Sequence, residues 1–135
     1  MVVDVNRETV ERLKAMFESG RLDQLAREQY EIAADDFVEE WPQSGERIRG
    51  RDNAKAIDDN YPRMTGSTPR MSVRRVSGEG THWAVEGTID YGDGTPVSYV
   101  GIVELRDGKL VHMSEYFANP FEAPAWRAQW VERMK

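Results

Sequence analysis

Val10, Leu13, Met16 and Phe17 recur every three or four positions among charged residues, which predicts an amphipathic helix that stops at Gly20. Leu22, Leu25, Ile32 and Ala33 predict a second helix over about 22–33. Segment 37–41 reads as a short strand ended by Pro42. A third helix is expected to start near Asp52, which can cap it, and to end before Pro62. It would turn Ala54, Ile57 and Tyr61 inward, and the Thr-Gly-Ser-Thr-Pro run at 65–69 is a loop by composition.

Beyond Arg70 the period shortens to two. Segments 70–76, 82–91, 97–106 and 109–117 read as strands, with turns at 78–80, 92–95 and Asp107-Gly108. Pro124 suits a helix start, and Trp126, Trp130 and Met134 make one stripe of a final helix. Helices followed by a four-stranded antiparallel meander predict an α+β fold, in one domain spanning 1–135.

Asp107-Gly108 favours a two-residue hairpin loop. Counting back from it pairs Leu105 with Leu110, Ile102 with Met113, Gly101 with Ser114 and Val100 with Glu115. One face then carries Ser98, Val100 and Ile102 beside Met113, Glu115 and Phe117. The other carries Tyr99, Val103 and Leu105 beside Leu110, His112 and Tyr116. A two- or four-residue loop at 92–95 pairs Tyr91 with Pro96 and Gly87 with Val100, which adds Trp83, Val85, Gly87 and Ile89 to the face of Glu115. Glu86 falls on the opposite face. A three-residue loop would exchange these assignments, because one step of register flips every side chain.

Glu115 interrupts the apolar run Val111, Met113, Phe117. Burying an unpaired carboxylate costs several kcal/mol, so an acid there has a partner or a chemical task. Two readings stay open. In an apolar pocket its proton affinity rises toward working pH, which suits a general acid or base. Alternatively it is a structural ion pair with an arginine such as Arg127 or Arg47. Gly87, across Val100 from the acid, would leave room for a ligand. Glu40 and Glu46 flank Trp41-Pro42, and a second carboxyl from there would push the two proton affinities apart; Glu46 reads better as a solvated loop residue. Trp41, Tyr61, Trp83, Met113 and Phe117 are the expected pocket walls, although such residues serve equally as plain core.

Composition narrows the partners. The net charge of −6 and pI of about 5.0 disfavour nucleic acid or an anionic membrane. Arg47, Arg49 and Arg51 alternate with Ile48 and Gly50, and Arg74-Arg75 is a lone pair; both read as solvated charge. The chain has no cysteine, which excludes disulfides, thiolate metal sites and a Cys nucleophile. Its two histidines are far apart in strand order, so no metal is expected. His112 suits a core or interface hydrogen bond, and His82 a strand end. No apolar run approaches the roughly 20 residues of a membrane span, and no signal-peptide pattern opens the chain, so a cytoplasmic protein is expected. A phosphate loop, dinucleotide fingerprint and nucleophile elbow are all missing, so no cofactor is expected.

Several short pieces, in this order of elements, carry a resemblance. They are Ala34-Asp35-Asp36 before the Pro42-ended strand, Arg49-Gly50-Arg51-Asp52, Asp107-Gly108-Lys109-Leu110, and Glu115-Tyr116-Phe117. Nearly the whole chain resembles the nuclear transport factor 2-like superfamily, within it the SnoaL-like group of polyketide cyclases, ketosteroid isomerase and limonene epoxide hydrolase. The resemblance implies a cone of curved sheet and three helices around a hydrophobic pocket, often dimerised through the outer sheet face. The isomerase's base aspartate falls at Trp41 and its tyrosine at about Leu13, so that reaction is not expected. The hydrolase's last-strand aspartate falls at Glu115, before Tyr116-Phe117. Its water-holding asparagine falls at Glu40 and a tyrosine at Val38, while its Arg-x-Asp has no counterpart in 83–89.

The expectation is therefore a homodimeric, cofactor-independent cyclase, isomerase or hydrolase acting on an apolar or polyketide-like small molecule. Glu115, with Glu40, would transfer protons, and Trp41, Tyr61, Trp83, Gly87, Val100, Met113 and Phe117 would contact the substrate. The alternative is a non-catalytic ligand-binding or dimerisation module of the same fold.

Overall fold

The computed structural model describes residues 4–19 and 22–134; the expected stop at Gly20 and the side chains of Leu22 and Leu25 lie outside the described residues. Asp4 caps the first helix, α1 (Val5–Ser19), its carboxylate accepting the Arg7 N–H at 3.1 Å. Thr9, Val10, Leu13, Met16 and Phe17 form its buried stripe. Arg12 ties α1 to α2 (Leu22–Ile32) through Glu28 at 2.9 Å and Glu31 at 2.6 Å.

The chain passes from α2 directly into β1 (Ala33–Trp41), so Ala33 opens a strand instead of closing a helix. Ala33 pairs with Leu110 and Val38 with His112, so β1 advances five residues where its neighbour advances two. A tight turn, in which the Gly45 N–H donates to the Trp41 carbonyl at 2.9 Å, then leads to β2 (Glu46–Arg49). That strand was not visible in the sequence: Ile48 is its one buried residue, too little for a periodic signal. Glu46 is exposed on this edge strand, paired in register with Trp41.

Gly50, at φ 85°, precedes α3 (Arg51–Thr65), so Asp52 lies in the first turn and no side chain caps the helix. The helix continues through Pro62 and closes at Gly66, whose N–H donates to the Pro62 carbonyl at 2.8 Å. A proline this near the end forfeits one N–H bond without breaking the last turn, and left-handed Gly66 supplies the stop.

β3 (Arg70–Glu79), β4 (His82–Asp90), β5 (Pro96–Arg106) and β6 (Lys109–Ala118) complete a curved six-stranded sheet of order β2-β1-β6-β5-β4-β3. The fold is α+β, and the sheet stays open at its β2 and β3 edges. All neighbours are antiparallel except β1 and β6, which run parallel and join the N-terminal half to the meander. Asp107 (φ 52°) and Gly108 (φ 76°) make the two-residue turn. It is clamped to α1, with Gly108 donating to the Asn6 side chain at 2.7 Å and accepting from Thr9 Oγ1 at 2.6 Å.

Leu105 pairs with Leu110 as expected, but a bulge then separates Leu105 from Glu104, which pairs with His112. Beyond it Gly101 opposes Glu115, Ile102 opposes Ser114 and Val100 opposes Tyr116, each one residue from the expected register. The β4–β5 hairpin is also one residue off, with Asp90 opposite Pro96 and Gly87 opposite Tyr99. The two shifts cancel for β4, so Trp83, Val85, Gly87 and Ile89 do share the face of Glu115. They do not cancel for β5: its inward residues are Tyr99, Gly101 and Val103, and Val100 and Ile102 face outward. Leu13, Phe37, Val85, Tyr99, Val103, Leu105, Leu110 and Met113 are the most deeply buried large side chains.

After β6 the expected final helix is a short 3₁₀ turn, Ala125–Trp130. Trp126, Trp130 and Met134 are 72%, 71% and 93% exposed, and a stripe that packs on nothing does not sustain an α-helix of this length. Among the described residues no helix is long and apolar enough to cross a membrane.

Candidate functional site

β1 alternates, so Glu39 and Trp41 point to the concave side of the sheet and Glu40 to the convex side. The Trp41 indole Nε1–H donates to Glu115 Oε1 at 3.0 Å, and the buried Tyr99 hydroxyl donates to Glu115 Oε2. Gln29 of α2 donates to Glu39 Oε1 at 3.4 Å. The Glu39 and Glu115 carboxyls lie within hydrogen-bonding reach of each other. They sit in the wall of a cavity of about 130 Å³. Met16 and Phe17 of α1, Ile57, Asp58 and Tyr61 of α3, and Met71, Ile89 and Tyr91 from the β3–β4 side complete much of the lining. Phe117 closes it beside Trp41, the two rings edge to face at 6.5 Å.

Three carboxyls therefore share one small apolar space, and none of the described residues that line it is a lysine, arginine or histidine. Burial, then the charges of Glu115 and Asp58, push Glu39 up to about 9. Burial also raises Glu115, against the hydrogen bonds of Tyr99, Trp41 and Glu39, which favour its ionised form. Asp58 is pushed up to about 7 by burial and then by Glu115. The Glu39–Glu115 pair thus holds a proton at neutral pH, shared between two carboxyls whose proton affinities are both raised. Such an arrangement can give and take protons in a largely aromatic and aliphatic pocket.

Of the residues singled out from sequence, Glu115, Trp41, Tyr61 and Phe117 meet at this cavity. Glu115 is bonded to neither Arg47 nor Arg127; Arg47 pairs with Glu40 instead. Glu40 itself lies on the convex face, 2.9 Å from Arg47 Nη2 and 2.5 Å from His112 Nε2, because strand alternation separates it from Glu39. Trp83 is buried away from the cavity, its Nε1–H donating to the Gly80 carbonyl at 3.0 Å and its ring beneath the Arg7 guanidinium. Met113 is core, and Val100 is turned outward by the register shift. Gly87 leaves no room for a ligand: a Cβ there would stand 2.3 Å from the Ser72 carbonyl oxygen of β3. The glycine opposite Glu115 is Gly101, and the Tyr99 hydroxyl fills its space.

Glu39, Asp58, Gln29 and Tyr99 were missed. Both acids carried a readable signal. Glu39 stands two residues before Trp41 on one strand face, and Asp58 stands three before Tyr61 and four after Ala54 on one helix face. Among the described residues no group of three His, Cys, Asp or Glu side chains is placed to hold a metal ion.

Residues 10–113 match the SnoaL-like domain, and the chain belongs to that family. No curated protein matches it. A nuclear transport factor 2-like protein of unknown function from Burkholderia xenovorans is 37% identical, with a TM-score of 0.77 over 97% of this chain and 99% of that one. A protein proposed to be a ketosteroid isomerase, from Kribbella flavida, is 25% identical, with a TM-score of 0.79 over 95% and 91%. An LEH-like epoxide hydrolase from M. tuberculosis shares the fold at 22% identity, with a TM-score of 0.63 over 83% and 84%.

Proposed function

We propose that this protein binds a small, largely apolar molecule in the concave cavity and transfers protons on it without a cofactor, as a cyclase, isomerase or hydrolase. The observation that carries this reading is the Glu39–Glu115 carboxyl pair in the wall of an aromatic cavity with no basic residue among its described lining. Glu115 is the proton-transfer group, and Glu39 takes the role that sequence reasoning gave to Glu40. Trp41, Tyr61 and Phe117 are the substrate-contacting walls. A cavity of about 130 Å³ is close to the ~150 Å³ that admits one benzene ring. The enclosed part of the substrate is therefore a single ring, alone or as one end of a larger, polyketide-like molecule. A homodimer through the convex sheet face goes with this reading, supported by half-exposed Ile102 and Tyr116 on that face.

A thermal-shift screen of single-ring compounds finds ligands, because whatever binds only the folded state raises its stability. Turnover of the hits is then compared between wild type and Glu115→Gln. The expected result is a loss of about a hundredfold or more with little change in melting temperature. Turnover that survives the substitution would remove Glu115 from the chemistry. The non-catalytic reading is favoured by the donors that already satisfy Glu115, and under it the variant loses stability while no hit is ever converted.

A further inference from the structure

Asp58 is the cavity carboxyl that no other described side chain holds. Glu115 accepts from Trp41 and Tyr99, and Glu39 from Gln29, whereas the described residues give Asp58 no hydrogen bond or ion pair. Lys55 and Arg51 border its other flank, outside the cavity, and both are engaged. Lys55 holds Asp59 at 2.6 Å; Arg51 holds Asp35 at 3.0 Å and stacks on the Tyr30 ring at 4.4 Å. Asp58 is half-buried, so its carboxyl can take a donor that arrives with a ligand without giving up a bond to the protein.

The cavity also selects by charge. Three carboxyls, with no cation among the described lining residues, repel carboxylates and phosphates and attract a positive group. The walls point the same way. Trp41 and Phe117 pack at 6.5 Å, Tyr61 and Tyr91 at 6.4 Å, and aromatic faces attract an ammonium most strongly where water is excluded. From these observations we infer that the ligand is a single-ring molecule carrying one protonated amine, with Asp58 as its counter-ion. The inference rests on the reading of this cavity as a small-molecule site. The titratable and charged groups around Asp58 are Glu39 and Glu115 from the sheet, Tyr91 beyond β4, and Arg51, Lys55, Asp59 and Tyr61 on its own helix. An ammonium among them favours the ionised carboxyls, so amine binding near neutral pH expels a proton.

Phenethylamine, phenethyl alcohol and phenylacetate present the same ring with a cation, a neutral group and an anion. Titration calorimetry is expected to rank the amine about tenfold or more above the alcohol, with phenylacetate weakest. Repeating it in buffers of different ionisation enthalpy should show proton release with the amine and none with the alcohol. Asp58→Asn should abolish the amine's advantage while the alcohol still binds, and the buffer comparison tests the idea on wild type whether or not that variant folds. An alcohol bound as tightly as the amine, an amine that expels no proton, or an Asp58→Asn protein that keeps the preference would each overturn the inference while leaving the cavity a binding site. Failure of all three probes, alcohol included, would overturn the small-molecule reading itself.

Discussion

Glu39 and Glu40 are consecutive residues of one strand, yet their environments differ in almost every respect. On the convex face Glu40 is held below the usual carboxylate range by hydrogen bonds from His112 and then Arg47. Glu86 on β4 is lowered in the same way by Arg75 and then Arg74. On the concave face Glu39 is 5% exposed, faces two further acids and no base among the described residues, and is raised to about 9. Water and a guanidinium stabilise a carboxylate, whereas an apolar wall and a second carboxylate stabilise the acid form. The convex acids are ordinary surface charge. The concave acids are costly to the folded state, as expected of a site kept for binding or chemistry.

The largest consequence of that contrast is a pH profile. Glu39 keeps its proton up to about 9 in the folded chain but only to its ordinary 4.5 when unfolded. Between those values the folded state binds more protons, so stability falls as pH rises. Asp58 adds the same sign between 3.8 and about 7. The convex acids act oppositely, contributing stability that is lost as pH falls, but their exposure makes them minor. Chemical denaturation should therefore find the protein most stable at about pH 5 and several kcal/mol less stable at about pH 9, with Glu39→Gln flattening the slope. A wild-type profile that is level or rises over this range would erase the distinction between the two faces.

A smaller effect sharpens it. Tyr99→Phe deletes one donor to Glu115 and should cost about 1–2 kcal/mol, more at alkaline than at acid pH because the ionised form uses that bond. Equal losses at both pH values would mean that Glu115 does not change its ionisation state over that range in the folded protein. The smallest effect is expected on the convex side, where Glu86→Gln should leave the melting temperature unchanged within error at physiological salt. A clear drop there would show that the outer ion pairs matter more than their exposure suggests.

Much of this was legible in the chain. Helical spacing located α1 and α3, alternation located the four meander strands, and Asp107-Gly108 located the turn that α1 clamps. Glu115 stood out because an acid in an apolar run is rare. Other features were not legible, for identifiable reasons. The bulge beside Leu105 leaves no local pattern, and it exchanged Val100 for Tyr99 and Gly101 on the inner face. Gly87 looked like space for a ligand, but β3 occupies that space. The Trp126–Trp130 stripe had the right period and met nothing to pack on.

Local spacing, turn residues and composition were enough to set the order of elements, the α+β class and the presence of one misplaced acid, because each depends on neighbours a few positions away. Which acids share a chamber depended on a parallel pairing between β1 and β6 and on α3 folding across the sheet. Those contacts join residues far apart in the chain, so only the folded protein decides that Glu39 and Asp58, and not Glu40, stand beside Glu115.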